Sequence, residues 1–420
     1  MLINFRASSS ALLIIAMTAT NLSAEPQKNK QKLVTIDYLV DDILVHNPEL
    51  KLYENEIDAA KGERITAEKW ENPQLSTSLG NQHKSGSSGD DGALLSIAMY
   101  QTFEWPGRRD LRKLIADKEI DLADLELKKF RSALTQEAQL VVFDLLSVQE
   151  KVSATKEVAS RYEDLSNVLE KRDIPGVNPQ LERRIILATA LSLSREIVEN
   201  EIELKKAQLR LNELRGEPLE TTIRIKSSKL HLKNPPHFEL LVEAASENNI
   251  NVHMKQAELI RQNLKVDLAK NERNPAISVG PYLNNQRAGE QETQIGVSVS
   301  MPLFLWDNNE GHIASEQAHK EQAVNSVIVT QLKVEREIAE SLEIYKLRLK
   351  EMQKADGLSI EEFKKAASLA DEHYRLGAVP VTTYVELQKQ YLEAVETTLG
   401  IKKDALKARQ QLEQLTGLNL

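Results

Sequence analysis

Ile295-Gly296-Val297-Ser298-Val299-Ser300-Met301 alternates without a fault: Ile295, Val297, Val299 and Met301 are apolar, and Gly296, Ser298 and Ser300 between them are small or polar. A period of two puts the first set on one face of a β-strand and the second on the other. Upstream, Ile277 and Val279 alternate with Ser278 and Gly280, so a second ribbon of the same kind lies close by in the chain. A soluble sandwich would turn the apolar face inward, and a water-filled membrane barrel would turn it to lipid. Strand number decides between them.

The same pattern occurs once more, earlier in the chain. Leu75, Thr77 and Leu79 share a face, as do Leu95, Ile97 and Met99 after a polar, glycine-rich stretch from Gln82 to Gly92. This is one half of a whole-chain duplication. Leu39-Val40-Asp41 recurs as Leu241-Val242-Glu243, Glu56 as Glu258 and Asn72-Pro73 as Asn274-Pro275, displaced by about 202 residues. Phe103 and Trp105 recur as Phe304 and Trp306, and Leu214-Arg215-Gly216 as Leu415-Thr416-Gly417, displaced by about 201. Two hairpins per chain cannot cover their own edges, so the sheet needs further subunits to close.

Each strand pair leads into helix. From Arg108 to about Arg172 the chain reads as one helix, in which Leu134, Ala138, Val141, Leu145, Val148 and Val152 form a coiled-coil seam. Some 65 residues at ~1.5 Å each make a rod about 100 Å long. The segment from Asp173 to Pro179 turns the chain, and a return helix runs from Gln180 to Arg215. In the second half a helix is predicted from Asn309 to Arg375, a turn at Gly377-Ala378-Val379-Pro380, and a return helix with its seam on Val381, Val385, Gln388, Leu392, Val395 and Leu399. Gly216 and Gly417 stand where C-terminal helix caps belong. The fold class is mainly α with a small β part. The predicted organisation is a first repeat over 25–216, with strands at about 73–82 and 92–103 and a helical hairpin at 108–215. A linker follows over 217–237. The second repeat covers 238–420, with strands at about 275–284 and 292–302 and a hairpin at 309–416.

Composition agrees with long, thin helices rather than a broad core: of 420 residues 5% are aromatic and 28% charged. Arg6, an apolar run from Ala11 to Met17 and a small-residue end at Ala24 read as a secretory signal peptide over 1–24. The net charge of −9 argues against nucleic acid as a partner. No cysteine is present, so disulfides, thiolate metal sites and cysteine nucleophiles are excluded. No phosphate-binding glycine loop, G-x-S-x-G elbow or H-E-x-x-H motif occurs, so no enzymatic activity and no cofactor are expected. His312, Glu316 and His319 share a helix face at metal-ligand spacing. A solvated face near a helix start is the reading favoured for them, and no second cluster supports a metal. His83 lies alone in a predicted loop.

Across nearly all of the mature chain the sequence resembles the TolC-like outer membrane efflux proteins. The resemblance rests on the doubled Asn-Pro before each first strand, Met301-Pro302-Leu303-Phe304, Tyr374-Arg375-Leu376-Gly377 and Leu415-Thr416-Gly417. The segment from Gln101 to Arg109, with Trp105-Pro106-Gly107-Arg108-Arg109, further resembles the CzcC-like branch, associated with export of divalent metal cations. The resemblance implies a homotrimer whose strands complete one β-barrel in outer-membrane lipid, continued by a periplasmic α-barrel. Gln82 to Gly92 and Asn284 to Gln291 would be extracellular loops. A periplasmic adaptor, or membrane fusion protein, would meet the tips at Pro175, Gly176, Val177, Asn178 and Pro179 and at Gly377, Ala378, Val379 and Pro380. An inner-membrane pump of the RND type would supply the energy. Matching the turn motifs carries an acidic pore constriction onto Glu182 and Glu386, with Tyr374 as an aromatic gate member; exposed helix carboxylates are the plain alternative for both glutamates. Val379 and Thr383 stand where relatives can have a basic and an acidic residue, so a lock built on that basic residue is not expected. The cationic cluster Arg108, Arg109, Arg112 and Lys113 reads as an anchor at the membrane-periplasm interface. Drug or protein export by the same kind of duct is the alternative. A periplasmic coiled-coil adaptor fits less well, because it would carry one helical hairpin rather than two.

Overall fold

A computed structural model describes residues 33–83, 91–171, 177–226, 230, 232–288, 290–357 and 360–420. The predicted signal peptide lies outside them. In the first repeat the elements are β1 (Leu33–Val34), α1 (Ile36–His46), α2 (Leu50–Ala67), β2 (Gln74–His83), β3 (Asp91–Phe103), α3 (Arg108–Lys171) and α4 (Val177–Arg215). After β4 (Arg224–Ile225) the second repeat supplies α5 (Phe238–Asn248), α6 (Ile250–Asn271), β5 (Ile277–Ala288), β6 (Glu290–Ser300), α7 (Glu310–Gly357), α8 (Ile360–Arg375) and α9 (Val381–Thr416).

The duplication is visible in hydrogen bonds as well as in order. Asn47, between α1 and α2, is buried and donates from Nδ2 to the Leu214 carbonyl at 2.9 Å. Asn249, between α5 and α6, donates to the Leu415 carbonyl at 2.8 Å. Each asparagine satisfies an orphan carbonyl at the end of a return helix, and Gly216 (φ 64°) and Gly417 (φ 69°) then leave in the left-handed conformation. A Cβ on Gly417 would lie 2.7 Å from that of Asn248, so this cap demands glycine on sterics too.

The two hairpins join into a single antiparallel sheet, β2-β3-β5-β6. Its register keeps the alternation in phase: Thr77 pairs with Ile97, Ile97 with Leu283 and Leu283 with Ile295. One face is therefore mainly apolar, and it is bare, with Leu75, Leu79, Ile295, Val297 and Val299 all about two-thirds or more exposed. The other face is small and polar, with Ser96 bonded to Asn284 and Thr102 to Ser278 across the seam between repeats. At that seam Gly280 lies hard against β3. A Cβ there would come within 1.6 Å of the Met99 carbonyl oxygen. One edge of β2 and one of β6 have no strand neighbour among the described residues.

Below the sheet, helices pack in a narrow layer. α3 is 64 residues long, about 96 Å at 1.5 Å per residue. Leu134, Ala138, Leu145 and Val152 of its predicted seam are buried, joined by Val142 and Leu146 because α1, α2, α4 and α9 all pack against α3. The matching core of the second repeat centres on Leu241, Ile338, Leu342, Tyr345 and Leu412.

Several expected boundaries move. The predicted linker contains β4, which pairs in parallel with β1 and is held by Gln149, whose side chain bonds both the Ile223 carbonyl and the Ile225 N–H. The loop expected from Asn284 to Gln291 is mostly strand, because the ladder runs on to the pair Ala288 and Glu290. Polar residues do not stop a strand when the backbone groups stay paired. Strands likewise reach His83 and resume at Asp91, while 84–90 of the other expected loop lie outside the described residues. Of the helix expected from Asn309 to Arg375, α7 is described to Gly357 and α8 from Ile360, and 358–359 between them lie outside the described residues. At the first tip, Val177, Asn178 and Pro179 are the opening turn of α4 rather than part of the turn before it, a place where proline costs no hydrogen bond. Pro175 and Gly176 lie outside the described residues.

Candidate constriction at the helical tips

The turn from α8 to α9 is closed by its own backbone. Gly377 donates to the Tyr374 carbonyl and Ala378 to that of His373, at 3.0 and 2.8 Å, with Gly377 at φ 74° and Pro380 opening α9. Tyr374 is thereby fixed one helical turn from the tip. Its ring stacks on Tyr384 of α9 at 5.1 Å, and Tyr384 packs against Tyr162 of α3 at 5.2 Å.

The Tyr374 hydroxyl donates to Glu182 Oε2 at 3.3 Å. This bond ties α8 of the second repeat to α4 of the first, so two of the three predicted constriction residues meet. Burial, then the negative charge of Glu182 and its hydrogen bond, push the Tyr374 hydroxyl up to about 12. Burial likewise pushes the Tyr162 hydroxyl far above the ordinary phenol value, and that of Tyr384 with help from the Asp371 carboxylate. All three tyrosines are therefore neutral at physiological pH, and of the three only Tyr374 donates a hydrogen bond, the Tyr162 and Tyr384 hydroxyls being buried without a partner among the described residues. Glu386 is not brought into this contact. It is exposed on α9 and accepts a bond from Gln390 at 2.9 Å.

A polar network behind the tyrosines holds three helices in register. Arg161 of α3 donates to Gln388 on α9 at 3.0 Å, to Ser368 on α8 at 2.9 Å and to Glu157 on its own helix at 2.8 Å. Gln388 is 1% exposed and donates in turn to the Ala367 carbonyl at 2.7 Å. Sequence reasoning passed over Arg161, Tyr162 and Tyr384. The available signal was Gln388 itself, a lone amide in an otherwise apolar seam, since a polar core residue in a coiled coil specifies register.

Further along the rods a cleft of about 530 Å³ opens between α3, α4 and α9, lined in part by Glu196, Glu199, Glu393 and Glu396. Burial raises the Glu196 carboxyl above the usual range, the Thr155 hydroxyl opposing it and the nearby Glu396 adding to it. Lys151 answers part of this charge through a 2.6 Å ion pair with Glu396.

His312, Glu316 and His319 do not converge on a metal site. Gln262 donates to Glu316, His312 faces Glu272 at 3.7 Å, and no group able to hold a metal ion occurs among the described residues. No described helix is long and apolar enough to cross a membrane.

A four-stranded sheet bare on its apolar face, joined to long paired helices, is an arrangement this chain shares with solved outer membrane channels. The family described as Outer membrane efflux protein matches residues 241–418, most of the second repeat. No curated protein sequence matches the chain. Among solved structures it is similar to the Campylobacter jejuni CmeC outer membrane channel, with a TM-score of 0.72 at 16% identity over 97% of this chain and 94% of that one. CusC gives 0.71 at 13% identity, covering 93% of each chain. The open state of the Neisseria gonorrhoeae MtrE outer membrane channel gives 0.68 at 12% identity, over 91% of this chain and 88% of that one.

Proposed function

We propose that this chain is one subunit of a homotrimeric outer-membrane exit duct, a passive channel without enzymatic activity that works with a periplasmic adaptor and an inner-membrane pump. The observation that carries this reading is the sheet. Four strands with a bare apolar face and two open edges are unstable in water and become stable when copies join edge to edge in lipid. Exposed apolar residues on the rods support the trimer: Leu191, Val198 and Ile202 on α4, and Ile328, Val329 and Leu332 on α7, are at least half exposed in the single subunit. Such seams are suited to neighbouring rods in a closed α-barrel.

The tips at 175–179 and 377–380 are the adaptor contacts in this reading, and Glu182, Tyr374 and Glu386 line the constriction behind them. Three copies of Glu182 and Glu386 around a narrow bore attract cations and repel anions. Divalent metal cations are the proposed cargo, on the likeness of the Trp105-Pro106-Gly107-Arg108-Arg109 region to the CzcC-like branch, and an RND-type pump drives them. Two measurements test the proposal. The purified protein should form a trimer that conducts in planar bilayers, and a soluble, non-conducting monomer would refute the duct. Cells lacking the protein should lose resistance to particular metals, whereas sensitivity to unrelated drugs alone would refute the cargo.

A further inference from the structure

The chain has three tryptophans, Trp70, Trp105 and Trp306, and each stands at a junction between sheet and helix. Trp70 lies between α2 and β2, Trp105 between β3 and α3, and Trp306 between β6 and α7. All are exposed, Trp306 at 93%. They continue the bare apolar face of the sheet toward the helices, through Phe103 and Met301, each about half exposed. Tryptophan at the limit of an apolar band is the side chain suited to a headgroup layer, apolar in its ring and polar at its N–H.

The first-repeat junction adds charge. The Arg109 guanidinium lies over the Trp70 ring at 4.8 Å, and Trp70 meets Phe103 edge-on at 6.0 Å. The neighbouring cations are engaged: Arg108 donates to the Asn271 side chain and to the Asn271 and Asn274 carbonyls, Arg112 pairs with Glu104, and Lys113 faces Glu68 at 3.9 Å. Among the described residues Arg109 has no carboxylate partner, although the chain as a whole is acidic. An arginine stacked on an exposed indole keeps its outer N–H groups free, in a fork that fits phosphate oxygens.

Resting on the outer-membrane reading above, we infer that Trp70, Phe103 and Arg109 form a seat for the phosphate of an anionic phospholipid in the periplasmic leaflet. The aromatic rings take the glycerol and upper acyl region, and Arg109 takes the headgroup charge that no protein carboxylate neutralises. A zwitterionic headgroup brings its own cation to its phosphate and gains less from Arg109. The second repeat has no counterpart, because Trp306 is followed by Asp307-Asn308-Asn309.

The test uses the purified full-length protein in phosphatidylcholine vesicles with and without phosphatidylglycerol, with native mass spectrometry reading the lipid retained after extraction. One arginine at an anionic surface predicts a preference for phosphatidylglycerol of about fivefold. Arg109→Gln should bring that preference near parity, and Lys113→Gln, whose partner is Glu68, should keep it. No preference in the unaltered protein, an equal loss in both variants, or displacement of the lipid by inorganic phosphate would overturn the seat. Failure to enter either vesicle would overturn the channel reading and the seat together, whereas insertion into both without selectivity would overturn the seat alone.

Discussion

Tyr374→Phe removes one oxygen and leaves the ring stacked on Tyr384, so it probes the bond to Glu182 with little change in packing. A hydrogen bond to a charged acceptor contributes about 1.5–3 kcal/mol when well formed. At 3.3 Å, on a partly buried ring, the value belongs at or below the low end, about 1 kcal/mol per subunit. If the three copies open together, about 3 kcal/mol is lost, on the order of a hundredfold in the closed-to-open ratio. Single-channel conductance in planar bilayers should then show the variant open far more often than the parent. A pH series gives an independent arm. The Tyr374 hydroxyl is raised to about 12 in the folded protein from an ordinary value near 10. Its stabilising contribution is therefore complete below about pH 10 and is lost as pH rises through about 12. The parent channel should open across that alkaline window, and Tyr374→Phe should not respond there. Equal open times at neutral pH, with the same alkaline response in both proteins, would refute the assignment of this bond to the gate.

The sheet offers two sharper tests. Gly280→Val places a Cβ on the Met99 carbonyl, closer than any atom pair tolerates, so β3 and β5 cannot pair; heat-modifiable trimer should disappear from outer-membrane fractions. Ile295→Lys puts a charge on the bare apolar face at a cost of about 2–4 kcal/mol near the bilayer midplane, whereas Gln294→Lys on the polar face should leave assembly intact and alter conductance. Equal trimer yields for those two variants would reverse the assignment of faces.

Much of this architecture was legible in the chain. The period-two ribbons, the length of the first rod and the turn before α9 follow from patterns read over a few tens of residues, where backbone geometry answers directly to side-chain order. The alternation of Ile295 to Met301 named the faces of its strand correctly. What it could not name was the neighbour. That β3 meets β5, joining one repeat to the other, depends on the close approach at Gly280 and on Thr102 reaching Ser278, contacts between positions far apart in the chain. The two asparagine clamps are of the same kind, since only folding brings Asn47 and Asn249 to carbonyls 167 and 166 residues away.

At the tips, Glu182 and Tyr374 were expected from the family resemblance of the turn motifs, but the bond between them, the tyrosine stack behind it and the Arg161 to Gln388 tie arise only when three helices pack side by side. The sequence by itself determined which faces are apolar, where the rods turn and that one unit is used twice, because those properties are set by periodicity along a single strand or helix. Tertiary structure alone decided which edges pair and which side chains meet behind the tips, because those depend on distances between segments that no local period encodes.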